Sequence, residues 1–217
     1  MVTATNQPDT HEELYGRSQR RSLTAADLQT LPDDGNRYEI IRGQLIVSPS
    51  PSYRHQRASL KLGSALDTFL TDTGVGQAVA APMDVYLSPN DVVQPDLLVV
   101  LEGRAEIIQN RGIMGAPDVV IEIVSPSSIE TDFLRKSKLY ELYGVREYWI
   151  VNPESQMVSV QTLHDDRFEI TGEYSHDDLL TSSVLEGFEL AVSILFPKQA
   201  AESAQEATEE PQPTNDE

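Results

Sequence analysis

A chain of 217 residues in which 39% are hydrophobic is long enough for one domain with a sizeable core. It contains no cysteine, which excludes disulfides, thiolate metal sites and a cysteine nucleophile. A formal net charge of −19 argues against a non-specific nucleic-acid coat protein, which is ordinarily basic, but it permits clustered carboxylates beside a local basic groove.

Residues 1–22 are polar and unpatterned and lack the apolar core of a secretion signal, so a flexible segment is expected. Thr24 can cap a short helix, Ala25 to Leu31, before Pro32. Tyr38 to Ile41 and Gln44 to Val47 flank Arg42-Gly43 as a hairpin. From His55 to Thr71, Ala58, Leu62, Ala65, Leu66, Phe69 and Leu70 recur with helical period, and Gly74 lies past the end. Residues 78–88 form a strand interrupted near Pro82, and 92–101 a second strand whose apolar latter half suits burial on both faces. Residues 102–117 are a glycine-containing loop, and Val119 to Val124 is a further central strand.

Ser125 to Ser128, with a serine as cap, lead into a helix from Ile129 to Tyr143 that Gly144 closes. Arg146 to Val151 is a strand, Met157–Leu163 and Arg167–Tyr174 a hairpin, and Phe188–Ile194 a returning segment. The acidic stretch after residue 197 has no aromatic and is expected to be disordered. The folded domain is therefore 23–197, an α/β or α+β arrangement with a curved mixed sheet flanked by two main helices. No apolar run approaches the ~20 residues that span a bilayer, so a cytoplasmic protein without a membrane partner is expected.

Two apolar strands each carry one acid, Asp96 and Glu122. Strand alternation sets Glu122 on the face of Val120 and Val124, where an unpaired carboxylate is costly and calls for a cation. Asp132, Lys136 and Tyr140 are four apart and form one stripe of the following helix. Two acids and a lysine are the groups that metal-assisted phosphodiester hydrolysis uses, because magnesium needs only one or two protein carboxylates. Each residue also has a plainer role. Pro95-Asp96 can be a turn before a strand, Glu122 the partner of Lys136 or Lys138, and Lys136 a solvated surface charge. Glu39 can face outward from its hairpin, His55 can be a surface residue at a helix start, and Asp132 can complement the helix dipole. Tyr140 and Trp149 suit the core. The serines at 125 and 127 suit caps, and no serine-hydrolase elbow is present.

The pattern resembles the PD-(D/E)XK restriction-endonuclease-like superfamily, with Pro95-Asp96 as its PD element and Glu122-Ile123-Val124 as its second acid element. The superfamily's lysine usually stands two residues after that acid, where this chain has Val124. Within the superfamily the chain is similar to the Uma-type family of small bacterial proteins described as endonucleases. The shared motifs fall in order at Tyr38-Glu39-Ile40, Ser48 to Pro51, His55-Gln56, Val93 to Val100, Arg111 to Ser127 and Asp132 to Pro153.

The resemblance covers residues 23 to 196 and implies a restriction-endonuclease-like core that hydrolyses DNA with Mg2+, or with Mn2+ in its place. It implies Asp96 and Glu122 as metal ligands and Lys136, moved to the helix, as the catalytic cation. Glu39 corresponds to an additional glutamate, a third ligand or a water-positioning group. His55 corresponds to a possible phosphate contact. Arg57, with Arg54, Lys61, Arg135 and Lys138, is a candidate for meeting the DNA backbone, and a homodimer would present two sites to a duplex. A nuclease-like fold that binds or assembles without catalysis is the alternative, and hydrolysis of RNA or a nucleotide a third reading.

Overall fold

The computed structural model describes residues 21–48, 50–124 and 131–196, apart from the side chains of 131–133. Residues 1–20 of the expected N-terminal segment, the serine caps at 125–128 and the acidic tail lie outside the described residues.

Helix α1 (Ala25–Leu28) opens at Thr24, whose backbone N–H donates to Asp27 Oδ2 over 2.8 Å. The hairpin of β1 (Arg37–Ile41) and β2 (Gln44–Ser48) follows, turning at Arg42-Gly43, both with positive φ. Helix α2 (Tyr53–Thr73) exceeds its expected span at both ends, because Ser52 rather than a later residue caps it and Gly74, at φ 68°, stops it. Its apolar stripe of Ala58, Leu62, Leu66 and Leu70 is fully packed. Truncating any of these leucines to alanine costs about 2–5 kcal/mol.

Two runs that read as single strands are each divided between sheets. The first gives β3 (Gly76–Ala80) and β4 (Val85–Ser88), separated at the cis Ala81-Pro82 bond. The second gives β5 (Asp91–Val93) and β6 (Leu97–Leu101), separated by Gln94-Pro95-Asp96. A proline has no N–H for a sheet ladder, so each break falls where pairing must stop. The expected loop at 102–117 contains a 3-10 helix (Glu102–Ile107) and the short strands β7 (Ile108–Gln109) and β8 (Gly112–Ile113).

Strand β9 (Val119–Ile123), helix α3 (Thr131–Tyr143) and β10 (Glu147–Asn152) form a crossover that returns parallel to β9. The hairpin of β11 (Met157–His164) and β12 (Arg167–Tyr174) follows. A small pair, β13 (Leu179–Thr181) with β14 (Glu189–Ala191), and a 3-10 turn at Val192–Ile194 complete the described chain.

The fold is mixed α/β with two six-stranded curved sheets where a single sheet was expected. The central sheet runs β12-β11-β10-β9-β6-β3, and the second runs β2-β1-β5-β4-β8-β7. On one face of the central sheet, Leu97, Val99, Ile121, Trp149 and Val151 pack on α2. On the other, Leu98, Val100, Val120 and Tyr148 pack with Leu139 and Tyr140 of α3 and with Ile41, Val85, Val93 and Ile113 of the second sheet. Strands β6 and β9 are thus buried on both faces, as their continuous apolar runs require.

Candidate active site

The crossing from β5 to β6 delivers Asp96 to the end of the central sheet. Leu97 pairs with Ile121 in the antiparallel register of β6 and β9. One further step in that register sets Asp96 across from Glu122. The Ile123 N–H donates to Asp96 Oδ2 over 2.8 Å and fixes the carboxylate there. His55, on the first turn of α2, places Nε2 3.0 Å from the same oxygen. A carboxylate only accepts, so Nε2 carries the proton, and Nδ1, buried, meets no partner among the described residues. Arg37 Nη2 donates to Asp96 Oδ1 over 2.7 Å.

Glu122 points to the α3 side, as its alternation with Ile121 and Ile123 dictates. Its Oε1 accepts from Lys136 Nζ at 2.9 Å and from the Tyr140 hydroxyl at 2.8 Å. Lys136 and Tyr140 reach one atom because they are one helical turn apart. Lys136 Nζ also lies 2.8 Å from Glu39 Oε1, an oxygen that accepts the Gln94 N–H over 2.8 Å. Glu39 comes from β1, and alternation sets Arg37 on the same side of that strand. All of Glu39, Asp96, Glu122 and Lys136 are buried.

Burial pushes the Asp96 carboxyl up, but His55, Arg37 and the Ile123 N–H outweigh it and hold it at about 2. Glu122 moves the other way, to about 7. Burial is the largest cause, and the neighbouring Asp96 and Glu39 charges add to it against the pull of Lys136. Burial works against the Lys136 charge, yet Glu122 and Glu39 overcome it and raise its pKa. Burial, with the Glu122 carboxylate beside it, raises Tyr140 well above its usual value, so its hydroxyl stays protonated as a donor.

Sequence reasoning placed Glu39, Asp96, Glu122, Lys136 and His55 as candidates, and all five converge in this one cluster. Glu122 does pair with Lys136, whereas Lys138 pairs with Glu141 on the helix surface. Tyr140 and Trp149 are core residues, as their apolar surroundings suggested. Arg57, two residues beyond His55, is half-buried and enters none of the cluster's described hydrogen bonds. The Asp132 side chain lies outside the described residues. Arg37 was not among the candidates. Its alternation with Glu39 on one strand is the one local signal that could have found it.

Among the described residues no three histidine, aspartate or glutamate side chains form a ready-made metal cage. The donors that do face one another, Asp96 and Glu122, are hard oxygen ligands in the number that magnesium or manganese uses when water and phosphate complete the shell.

A family model for Uma2, described as "Putative restriction endonuclease", matches residues 25–193. The chain belongs to the Uma2 family. That span takes in all five converging candidates and Arg37. The fold is similar to a crystal structure from Anabaena variabilis ATCC 29413, described as a "putative nuclease belonging to DUF820". The TM-score is 0.67 at 22% identity, covering 80% of this chain and 97% of that one. At that identity the likeness concerns the fold. No curated protein matches the chain. Lys136 stands on α3, and Val124 stands two residues after Glu122.

Proposed function

We propose that the protein is a DNA endonuclease that hydrolyses phosphodiester bonds with a divalent cation, magnesium or manganese, held by Asp96 and Glu122. The observation that carries this reading is the meeting of Lys136 Nζ with Glu39 and Glu122, 2.8 and 2.9 Å away, beside an Asp96 that lies across from Glu122. A bound cation would supply charge neutralisation at the phosphate and a water of lowered pKa. Glu39 serves as a third ligand or positions the attacking water. The Lys136 ammonium stabilises charge on the phosphate as it becomes pentacoordinate. Tyr140 holds Glu122 in register through Oε1, and His55 and the Ile123 N–H hold Asp96 through Oδ2.

The route for a polyanion to so acidic a protein lies along β1 and the start of α2. Between residues 37 and 66 the chain has five cations, Arg37, Arg42, Arg54, Arg57 and Lys61, of which Arg37 pairs with Asp96 and Arg54 with Glu154, against one acid, Glu39. That acid is already paired with Lys136. The start of α2 adjoins the cluster through His55. Contact of Arg57 and His55 with phosphate belongs to this reading, as do a homodimer that cuts both strands and a cytoplasmic location. No helix among the described residues is long and apolar enough to cross a membrane.

Supercoiled plasmid incubated with the protein, with and without magnesium or manganese, tests the reading. The expected result is nicking or linearisation only with metal, abolished in Asp96→Ala and Lys136→Ala. A wild type as inert as both variants over a wide salt range overturns it. One observation favours a second reading, a nuclease fold that binds without cutting. Arg37, His55 and Lys136 already satisfy the three acids internally. Calorimetry decides, since that reading expects no uptake of magnesium or manganese by the folded protein.

A further inference from the structure

Asp96 distributes its partners unevenly. Oδ2 accepts from Ile123 N and from His55, while among the described residues Oδ1 has Arg37 alone. If Arg37 leaves, the carboxylate keeps its position and frees one oxygen. Lys136 has no such freedom, because its departure strands Glu39 and Glu122 together. Arg37 is also the most exposed cation of the cluster. Its side chain keeps 20% of its surface, against 10% for Lys136 and 10% for His55. Its other anchor is a single 3.1 Å bond from Nη1 to the carbonyl of Gln94, between β5 and β6.

We infer that Arg37 is a latch with two positions. In the metal-free protein it sits on Asp96 Oδ1, and once that oxygen takes a divalent cation it turns to a phosphate of the bound polynucleotide. The inference rests on the nuclease reading above. Its driving force is charge. Three carboxylates, Glu39, Asp96 and Glu122, share two permanent cations, Arg37 and Lys136, so a divalent ion at Asp96 leaves a cationic surplus there. The guanidinium is the group that repulsion can move, since it is the most exposed of the three cations and its loss strands no second carboxylate. A phosphodiester offers two oxygens to its fork, which a lysine at this position could not match.

Arg37→Met and Arg37→Lys test this with two readouts, manganese affinity by calorimetry without DNA and cleavage of plasmid. Removing the competing cation makes Arg37→Met bind manganese about tenfold tighter, while loss of the phosphate clamp slows its cleavage about a hundredfold. Arg37→Lys returns manganese affinity towards the wild-type value without restoring cleavage. The thermal midpoint of metal-free Arg37→Met falls below wild type, and manganese raises it by more degrees than it raises wild type. A residue that only supports the fold loses affinity and cleavage together, and that outcome overturns the inference. So does tighter binding with unchanged cleavage, which leaves Arg37 a counter-ion and nothing more. Failure of the nuclease reading is distinct, because wild type then takes up no manganese and cuts nothing, and the latch falls with it.

Discussion

Lys136 and Glu122 join helix α3 to the central sheet over 2.9 Å, and the same ammonium grips Glu39 of the second sheet at 2.8 Å. The candidate site is therefore also a joint between the two sheets. Lys136→Met removes the one cation shared by two buried carboxylates. Breaking a buried pair from one side costs about 3–5 kcal/mol, because the remaining charges stay buried. Urea denaturation of the metal-free variant should show a loss of that size. A variant as stable as wild type would mean that the two acids find protons or water instead. The same measurement protects the cleavage assay, since an inert Lys136 variant is informative only while folded.

The two acids across from each other should respond to pH in opposite directions. Asp96 has a folded value of about 2, below its ordinary 3.8, so its contribution to stability is present above 3.8 and lost as pH falls through about 2. Glu122 has a folded value of about 7, above its ordinary 4.5, so its contribution is present below 4.5 and lost as pH rises through about 7. In chelator, Glu122→Gln should then gain on wild type between those two values, by on the order of 2–3 kcal/mol at pH 8. Its Oε1 can still accept from Lys136 and Tyr140. Denaturation curves of both proteins at pH 4 and pH 8 measure the gap, and a gap that does not change with pH would exclude Glu122 as the source.

His55→Ala should cost stability above pH 3.8, where the ionised Asp96 contributes, and little below about pH 2. The variant deletes one of three groups that hold the Asp96 carboxylate in its ionised form. Its folded pKa then rises from about 2 towards 3.8, and the stability difference from wild type closes as pH falls through about 2. The expected destabilisation near neutrality is about 1–3 kcal/mol for the lost charge-assisted bond. Carboxyl titration by NMR reads the first effect directly. An unmoved Asp96 titration would assign its low value to Arg37 and the backbone.

Much of this site is legible in the sequence, for reasons of period. Glu122 sits out of place in an apolar strand, and alternation states which face it takes. The four-residue spacing of Lys136 and Tyr140 brings both to one side of a helix. Arg37 was hidden because its partner, Asp96, is 59 residues away, and an arginine opening a hairpin strand ordinarily faces water. The division into two sheets was hidden likewise. Val92 and Leu97 read as parts of one strand, yet Val92 pairs with Ile40 and Leu97 with Ala80 in different sheets. Pro82 and Pro95 marked both breaks, but local sequence does not say whether a proline interrupts a strand or ends its membership of a sheet.

Glu147 is a further buried carboxylate, outside the candidate site. Its Oε1 accepts from Ser183 N and Oγ and from Val184 N, and its Oε2 from Trp149 Nε1 and Ser182 Oγ. Five donors and no cation make it an anchor that ties residues 182–184 to β10. Glu147→Gln keeps one accepting oxygen and turns an amide NH2 on the remaining donors. If that oxygen serves Ser183 and Val184, the Ser182 hydroxyl can rotate to accept, but the indole N–H cannot. One stranded donor costs about 1–3 kcal/mol. Hydrogen exchange should quicken between residues 179 and 191, with β6 and β9 unchanged, and Trp149 fluorescence should shift with it. Uniform quickening across the whole chain would show instead that the anchor belongs to the global fold rather than to the β13–β14 pair.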